Sequence, residues 1–189
     1  MKNILKLSTI SLLGFAMLAG LLYLFLVSGG MFAFMPNPPE PEIKYREFEC
    51  ELVYEIEGEI TVIKDVIVCE FDGYKTRGAA GKRRQWKTYL KSGRERLTLL
   101  NLNSQNEINM FGQKLLELYF YYGNAEYYMG DEDEYRRRKE QEMDHINYLY
   151  QTNEGIIGSS SYSADEVWNK YSIRLISWEC MPPIENTFH

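Results

Sequence analysis

Hydrophobic and polar positions follow two regimes along this chain. Residues 7–35 carry no charged side chain, and from Ile10 to Val27 nearly every position is apolar. A helix needs about 20 such residues to cross a bilayer's hydrocarbon core, so this run predicts a transmembrane helix. Ser28, Gly29 and Gly30 mark a break. Residues 31–35 then read as an interfacial anchor, and Pro36, Pro38, Pro39 and Pro41 stop the helix because proline lacks the N–H and restrains the residue before it.

Beyond residue 45 the period changes to two. Phe48, Cys50, Leu52, Tyr54 and Ile56 alternate with Glu47, Glu49, Glu51 and Glu55, the pattern of a half-buried strand. Residues 57–59 turn the chain, and the β-branched run 60–71 returns as its hairpin partner, ending at Asp72 and Gly73. Two more strands are expected at 84–91 and 96–102. Residues 114–122 and 125–129 flank Gly123 and Asn124, which suits a two-residue type II′ hairpin. That register would set Tyr119, Tyr121, Glu126 and Tyr128 on one tyrosine-rich face.

Residues 133–142 hold helix formers and opposite charges four apart but no apolar stripe, so a surface helix is expected there. Another strand follows at 146–150, with a turn at 152–155. Ser163 and Glu166 fit a capping box ahead of a short helix running to about residue 171, and residues 172–179 read as the last strand. The fold class is therefore an N-terminal transmembrane helix followed by one mostly antiparallel β (α+β) domain with one or two short helices. Residues 1–6 form a cytoplasmic N-terminus, 7–35 the transmembrane helix or signal anchor, 36–44 a proline-rich tether, and 45–189 the extracytoplasmic β-rich domain.

Charge refines the orientation. Lys2 and Lys6 precede the apolar run and Glu40 and Glu42 follow it, so the positive-inside rule puts the N-terminus in the cytoplasm and the C-terminal domain outside a cell membrane crossed once. A secretion signal is the alternative, with small residues at 28 and 29 near a cleavage point. Its apolar core spans only about 7 to 15 residues, which favours a retained anchor. Leu21 stands where a lipoprotein would need cysteine, and the pair Ala16 and Gly20 is too common in apolar helices to argue for helix pairing. The net charge of −6 disfavours nucleic acid as a partner.

Candidate chemistry is sparse. The Gly78 to Lys82 loop lacks the Walker pattern, having Thr76 where a glycine and Arg83 where a Ser or Thr is required. No Gly-x-Ser-x-Gly elbow surrounds Ser159, Ser160, Ser161 or Ser163. Asp131, Glu132, Asp133 and Glu134 offer clustered oxygens for calcium without EF-hand spacing. With two histidines, His145 and His189, and no Cys-x-x-Cys, zinc is not expected. Of Cys50, Cys69 and Cys180, buried thiols are the default and a Cys50–Cys69 bridge between neighbouring strands is the alternative. No cofactor is implied.

Glu47-Phe-Glu-Cys-Glu-Leu-Val-Tyr54 with Val68-Cys-Glu-Phe-Asp-Gly73, Glu126-Tyr-Tyr-Met-Gly-Asp131, Ser163-Ala-Asp-Glu166, Ile176-Ser-Trp-Glu179 and Pro183-Ile-Glu-Asn-Thr-Phe188 together resemble a family of small single-pass, β-rich membrane proteins of Gram-positive, clostridial-type bacteria. The resemblance implies a bacterial membrane location and one β-rich domain. It brings no activity, ligand or catalytic residue. The resulting expectation is a non-enzymatic binding module on a membrane tether, contacting a protein, a peptide or an envelope glycan through Tyr119, Tyr121, Glu126 and Tyr128. The competing expectation is an envelope-acting enzyme or calcium-dependent binder using residues 131–134 together with His145.

Overall fold

The computed structural model describes residues 17–21, 23–24, 35–77, 81–103, 107–109, 111–131 and 145–189. Its strands are β1 (Tyr45–Ile56), β2 (Glu59–Thr76), β3 (Lys82–Leu90), β4 (Leu97–Asn101), β5 (Lys114–Phe120), β6 (His145–Gln151), β7 (Ile157–Ser163) and β8 (Ile173–Cys180). Among the described residues, two helices, α1 (Ala125–Tyr128) and α2 (Ala164–Tyr171), lie between them. The strands form two four-stranded sheets, ordered β3-β2-β1-β8 and β4-β5-β6-β7. Every pairing that fixes a register is antiparallel. The domain is β-rich, as its alternation predicts.

The chain divides into two compact units. The larger, Pro41–Phe71 with Trp86–Phe188, holds the core. The inward residues of β1 (Phe48, Leu52, Tyr54) join Ile67 of β2, Leu118 and Phe120 of β5 and Ile146 of β6 in one buried cluster. Each such side chain contributes about 1.5–3 kcal/mol by leaving water. The Phe120 and Trp178 rings, 5.1 Å apart, and the Tyr54 hydroxyl donating to the Leu99 carbonyl at 3.3 Å tie one sheet to the other.

Local chemistry explains the connections. β1 and β2 join through Glu57 and Gly58 with φ of 52° and 84°, the double positive φ of a type I′ turn that matches the twist of its strands. β2 does not end at Asp72 and Gly73. It continues to Thr76, and Gly73 passes through φ 86°, a conformation glycine alone adopts without penalty. At α2, the Ser163 hydroxyl accepts from the Glu166 N–H while the Glu166 carboxylate accepts from the Ser163 N–H, the reciprocal box expected there. Burying Val167 against the core then gives α2 its tertiary hold.

The first and last strands are neighbours: β8 returns beside β1, opposing Cys50 to Cys180, and these two residues form a disulfide. This corrects the Cys50–Cys69 alternative and the expectation that all three cysteines are thiols. In the β1–β2 register Cys50 faces Asp65 and Cys69 faces Arg46, so Cys69 sits four residues along the ladder from Cys50. Cys69 is a free, buried thiol.

The smaller unit contains the described residues of Met1–Glu40, Asp72–Gln85 and His189. Within it the proline-rich segment is bound to the chain: Lys82 Nζ donates to the Asn37 side chain at 3.1 Å and Arg84 Nη1 to the Pro39 carbonyl at 3.0 Å. Residues 17–21, 23 and 24 are helical, with Met17, Leu18, Leu21, Tyr23 and Leu24 exposed. Among the described residues no helix is long and apolar enough to cross a membrane. Most of the expected transmembrane segment 7–35, and the expected helix at 133–142, lie outside the described residues.

Candidate functional site

The expected hairpin about Gly123 and Asn124 is absent, and a one-turn helix stands in its place. The Asn124 side chain accepts from the Tyr127 N–H at 2.9 Å, capping α1, and the Met129 N–H reaches the Ala125 carbonyl at 2.8 Å. Ala125, Tyr128 and Met129 are all buried. Their spacing of three and four is helical, and over five residues it competed with alternation on equal terms. The amide cap before it and Gly130 after it were the legible signals that favour helix.

This change takes the predicted tyrosine face apart. Tyr128 is 2% exposed, its ring 4.9 Å from that of Phe48 and its hydroxyl donating to the Tyr122 carbonyl at 2.6 Å. It is a core residue and presents nothing to a ligand. Glu126 sits on α1, off the strand face. Tyr119 remains on β5, and Tyr121, just past its end, is 51% exposed. The densest group of tyrosines lies elsewhere, on the inner side of β6 and β7 beside α2. There Tyr148 stacks on Tyr162 at 4.2 Å, and burial raises the Tyr162 hydroxyl above its ordinary pKa.

Tyr119 belongs to a different arrangement. It pairs directly with Thr98 on β4 and Asn147 on β6, and Asn147 pairs with Ser161 on β7. Residues directly opposite in antiparallel strands share a face, so these four side chains form one row across the whole sheet. The intervening residues Leu97, Leu118, Phe120 and Ile146 are buried, which puts the row on the outer face. The Arg96 guanidinium lies over the Tyr119 ring at 5.5 Å and 3.9 Å from the Glu117 carboxylate, which also accepts from the Thr98 hydroxyl at 2.7 Å. Exposed His145, opposite Ser163, continues the face at one end.

Comparison of the chain with family models, with curated proteins and with solved structures finds no match. The site therefore rests on its own geometry. That geometry brings an aromatic ring, a guanidinium, a carboxylate, a carboxamide and two hydroxyls onto one rigid sheet face. These groups suit hydrogen bonding and ring contact with a polar ligand.

Of the acidic cluster, Asp131 accepts the Trp86 indole N–H at 2.7 Å, while Glu132, Asp133 and Glu134 lie outside the described residues. Among the described residues no group of three or more His, Cys, Asp or Glu side chains is arranged to hold a metal. The row itself was not readable in the sequence. Its register depends on β-bulges in the β4–β5 and β5–β6 ladders, which carry no local signature here.

Proposed function

We propose that this chain is a non-enzymatic binding module, held on the outer side of a bacterial cell membrane by its N-terminal apolar run, and that it meets its ligand on the outer face of the β4–β7 sheet. The single observation behind the binding reading is the row Thr98, Tyr119, Asn147 and Ser161, flanked by Arg96 and Glu117. A glycan of the cell envelope is the ligand class that fits, because closely spaced hydroxyls and amides match such a row while a sugar ring's apolar face matches tyrosine.

Three features support the location. Residues 7–35 carry no charge and follow two lysines. The described helical residues near 17–24 expose apolar side chains, as a helix surrounded by lipid would. The Cys50–Cys180 disulfide belongs to an oxidising compartment. The resemblance to small single-pass, β-rich membrane proteins points to the same location.

Two measurements test the reading. In right-side-out vesicles carrying the full chain, externally added protease should digest the β-rich domain; complete protection there overturns the location. For binding, the detergent-solubilised full chain is titrated with soluble cell-wall glycan fragments. Tyr119→Ala and Asn147→Ala should each weaken binding by about tenfold, the loss of about 1.4 kcal/mol expected for one good contact. Binding unaffected by both variants, or no binding by the parent chain, removes this face from consideration.

A further inference from the structure

Among the described residues the two sheets have four edges, and three are guarded against pairing with another chain. β3 carries Lys82, Arg83, Arg84 and Lys87. β4 is five residues long and bulged against β5. β8 carries Arg174 and Glu179 and is bulged against β1. Short length, charge and bulges are the devices that stop a sheet edge from recruiting a further strand.

β7 has none of them. Ile157–Ser163 contains no Lys, Arg, Asp, Glu or Pro, and pairs with β6 through all seven residues without a register shift. Among the described residues it is the last strand of its sheet. Ser159, Ser160 and Ser161 are exposed in succession, on both faces, and Ile156 and Ile157 at the strand's start are 60% and 62% exposed.

We propose that β7 is the pairing edge of a symmetric homodimer, two copies adding β7 to β7 antiparallel so that two four-stranded sheets become one of eight. A second copy fits this edge better than a foreign peptide. Added strands are selected through pockets for alternate side chains, and glycine and serine form none. Self-pairing about Ser160 instead sets Ser160 against its symmetry mate and Ser159 against Ser161. Hydroxyl pairs of this kind are favourable cross-strand contacts.

Charge points the same way. The chain bears −6 overall, whereas β7 carries no charged side chain, so two copies meet there without opposing like charges. The β7 edge is the neutral approach. An antiparallel pair of strands has its two-fold axis perpendicular to the sheet, giving an isologous contact. Both outer faces then look the same way, and the two Thr98–Ser161 rows lie on one continuous surface. The pairing does not depend on what that surface binds.

Cross-linking of the full chain in lipid vesicles tests the proposal. Ser160→Cys should give an intermolecular disulfide on mild oxidation, whereas Thr98→Cys on the opposite edge should not. Adding S159K and S161K to the Ser160→Cys chain places like charges across from each other twice and should cut the yield by about tenfold. Mixing a chain carrying S159K and S161K with one carrying S159E and S161E, both with Ser160→Cys, should restore it. Thermal melts of each variant report folding separately. The proposal falls if Ser160→Cys stays monomeric, if Thr98→Cys cross-links equally well, or if the lysine variant folds and cross-links like its parent.

Discussion

Cys50 and Cys180 close a loop across a sequence separation of 130 residues. Restricting so long a loop in the unfolded chain is worth about 5 kcal/mol on chain-entropy grounds, and removing native disulfides from small exported domains costs about 2–5 kcal/mol. Cys50→Ser should therefore lower the unfolding free energy by an amount in that range, read as a lower denaturant midpoint. Thiol labelling gives an independent check. Burial pushes the Cys69 thiol up to about 12, so it stays protonated and shielded in the native chain at pH 7. Unfolding without reductant should then expose one reactive thiol and unfolding with reductant three; three without reductant would contradict the pairing. Gly130 is a second position where one atom decides. It has φ +67°, and a Cβ there would come 2.5 Å from the Ile184 carbonyl oxygen. Gly93 has φ +80° with nothing within 4 Å. Alanine at Gly93 incurs only the left-handed backbone cost of about 1–2 kcal/mol. Alanine at Gly130 must also displace backbone, so its midpoint should fall further than that of Gly93→Ala.

Elements were legible where a signal is local. Alternation over residues 48–56 located β1, and Ser163 with Glu166 located the start of α2, because a capping box is complete within four residues. α1 has no such local signature, because its five residues satisfy two periods at once and Phe48, the ring that Tyr128 packs against, lies far away in sequence. The candidate row failed for a related reason: each of its four residues is ordinary in its own strand, and only the register joins them. The cap of α2 supplies a test at this scale. Ser163→Ala removes the hydroxyl acceptor and should cost about 1 kcal/mol. Hydrogen bonds from the Ser163 N–H and hydroxyl hold the Glu166 carboxyl below its usual pKa. A lowered carboxylate pKa contributes stability that is complete above the ordinary value and is lost as pH falls through the lowered one. Helical signal from α2 should therefore weaken in acid below about pH 4, and Glu166→Gln should flatten that dependence. An identical acid profile for the parent and Glu166→Gln would remove the carboxylate from the cap.

At the scale of the whole molecule, the larger unit holds its own two ends together. The chain runs through three strands of one sheet, four of the other, and returns through α2 to set β8 beside β1. Such non-local pairing carries no short-range signature, which is why sheet order could not be read from periodicity. Past β8 the tail then grips the segment that leads into β1. The Asn186 carboxamide accepts from the Ile43 N–H at 3.0 Å and donates to the Ile43 carbonyl at 2.9 Å. The Glu42 N–H donates to the Thr187 carbonyl at 2.9 Å, and Pro41 bridges to Phe188. The Ile184 N–H reaches the Tyr128 carbonyl at 2.9 Å, tying the same tail to α1. Any pull arriving through residues 36–40 therefore meets this clasp before it reaches the β1 ladder. Asn186→Ala leaves both Ile43 backbone groups half-buried without their partner, a cost of about 1–3 kcal/mol. Because local regions open with free energies of their own, that cost should fall on the clasp first. Amide exchange at Glu42 and Ile43 should rise by about tenfold or more while exchange at Phe48 and Leu52 follows global unfolding. Equal acceleration at all four amides would mean that the clasp and the core open as a single unit.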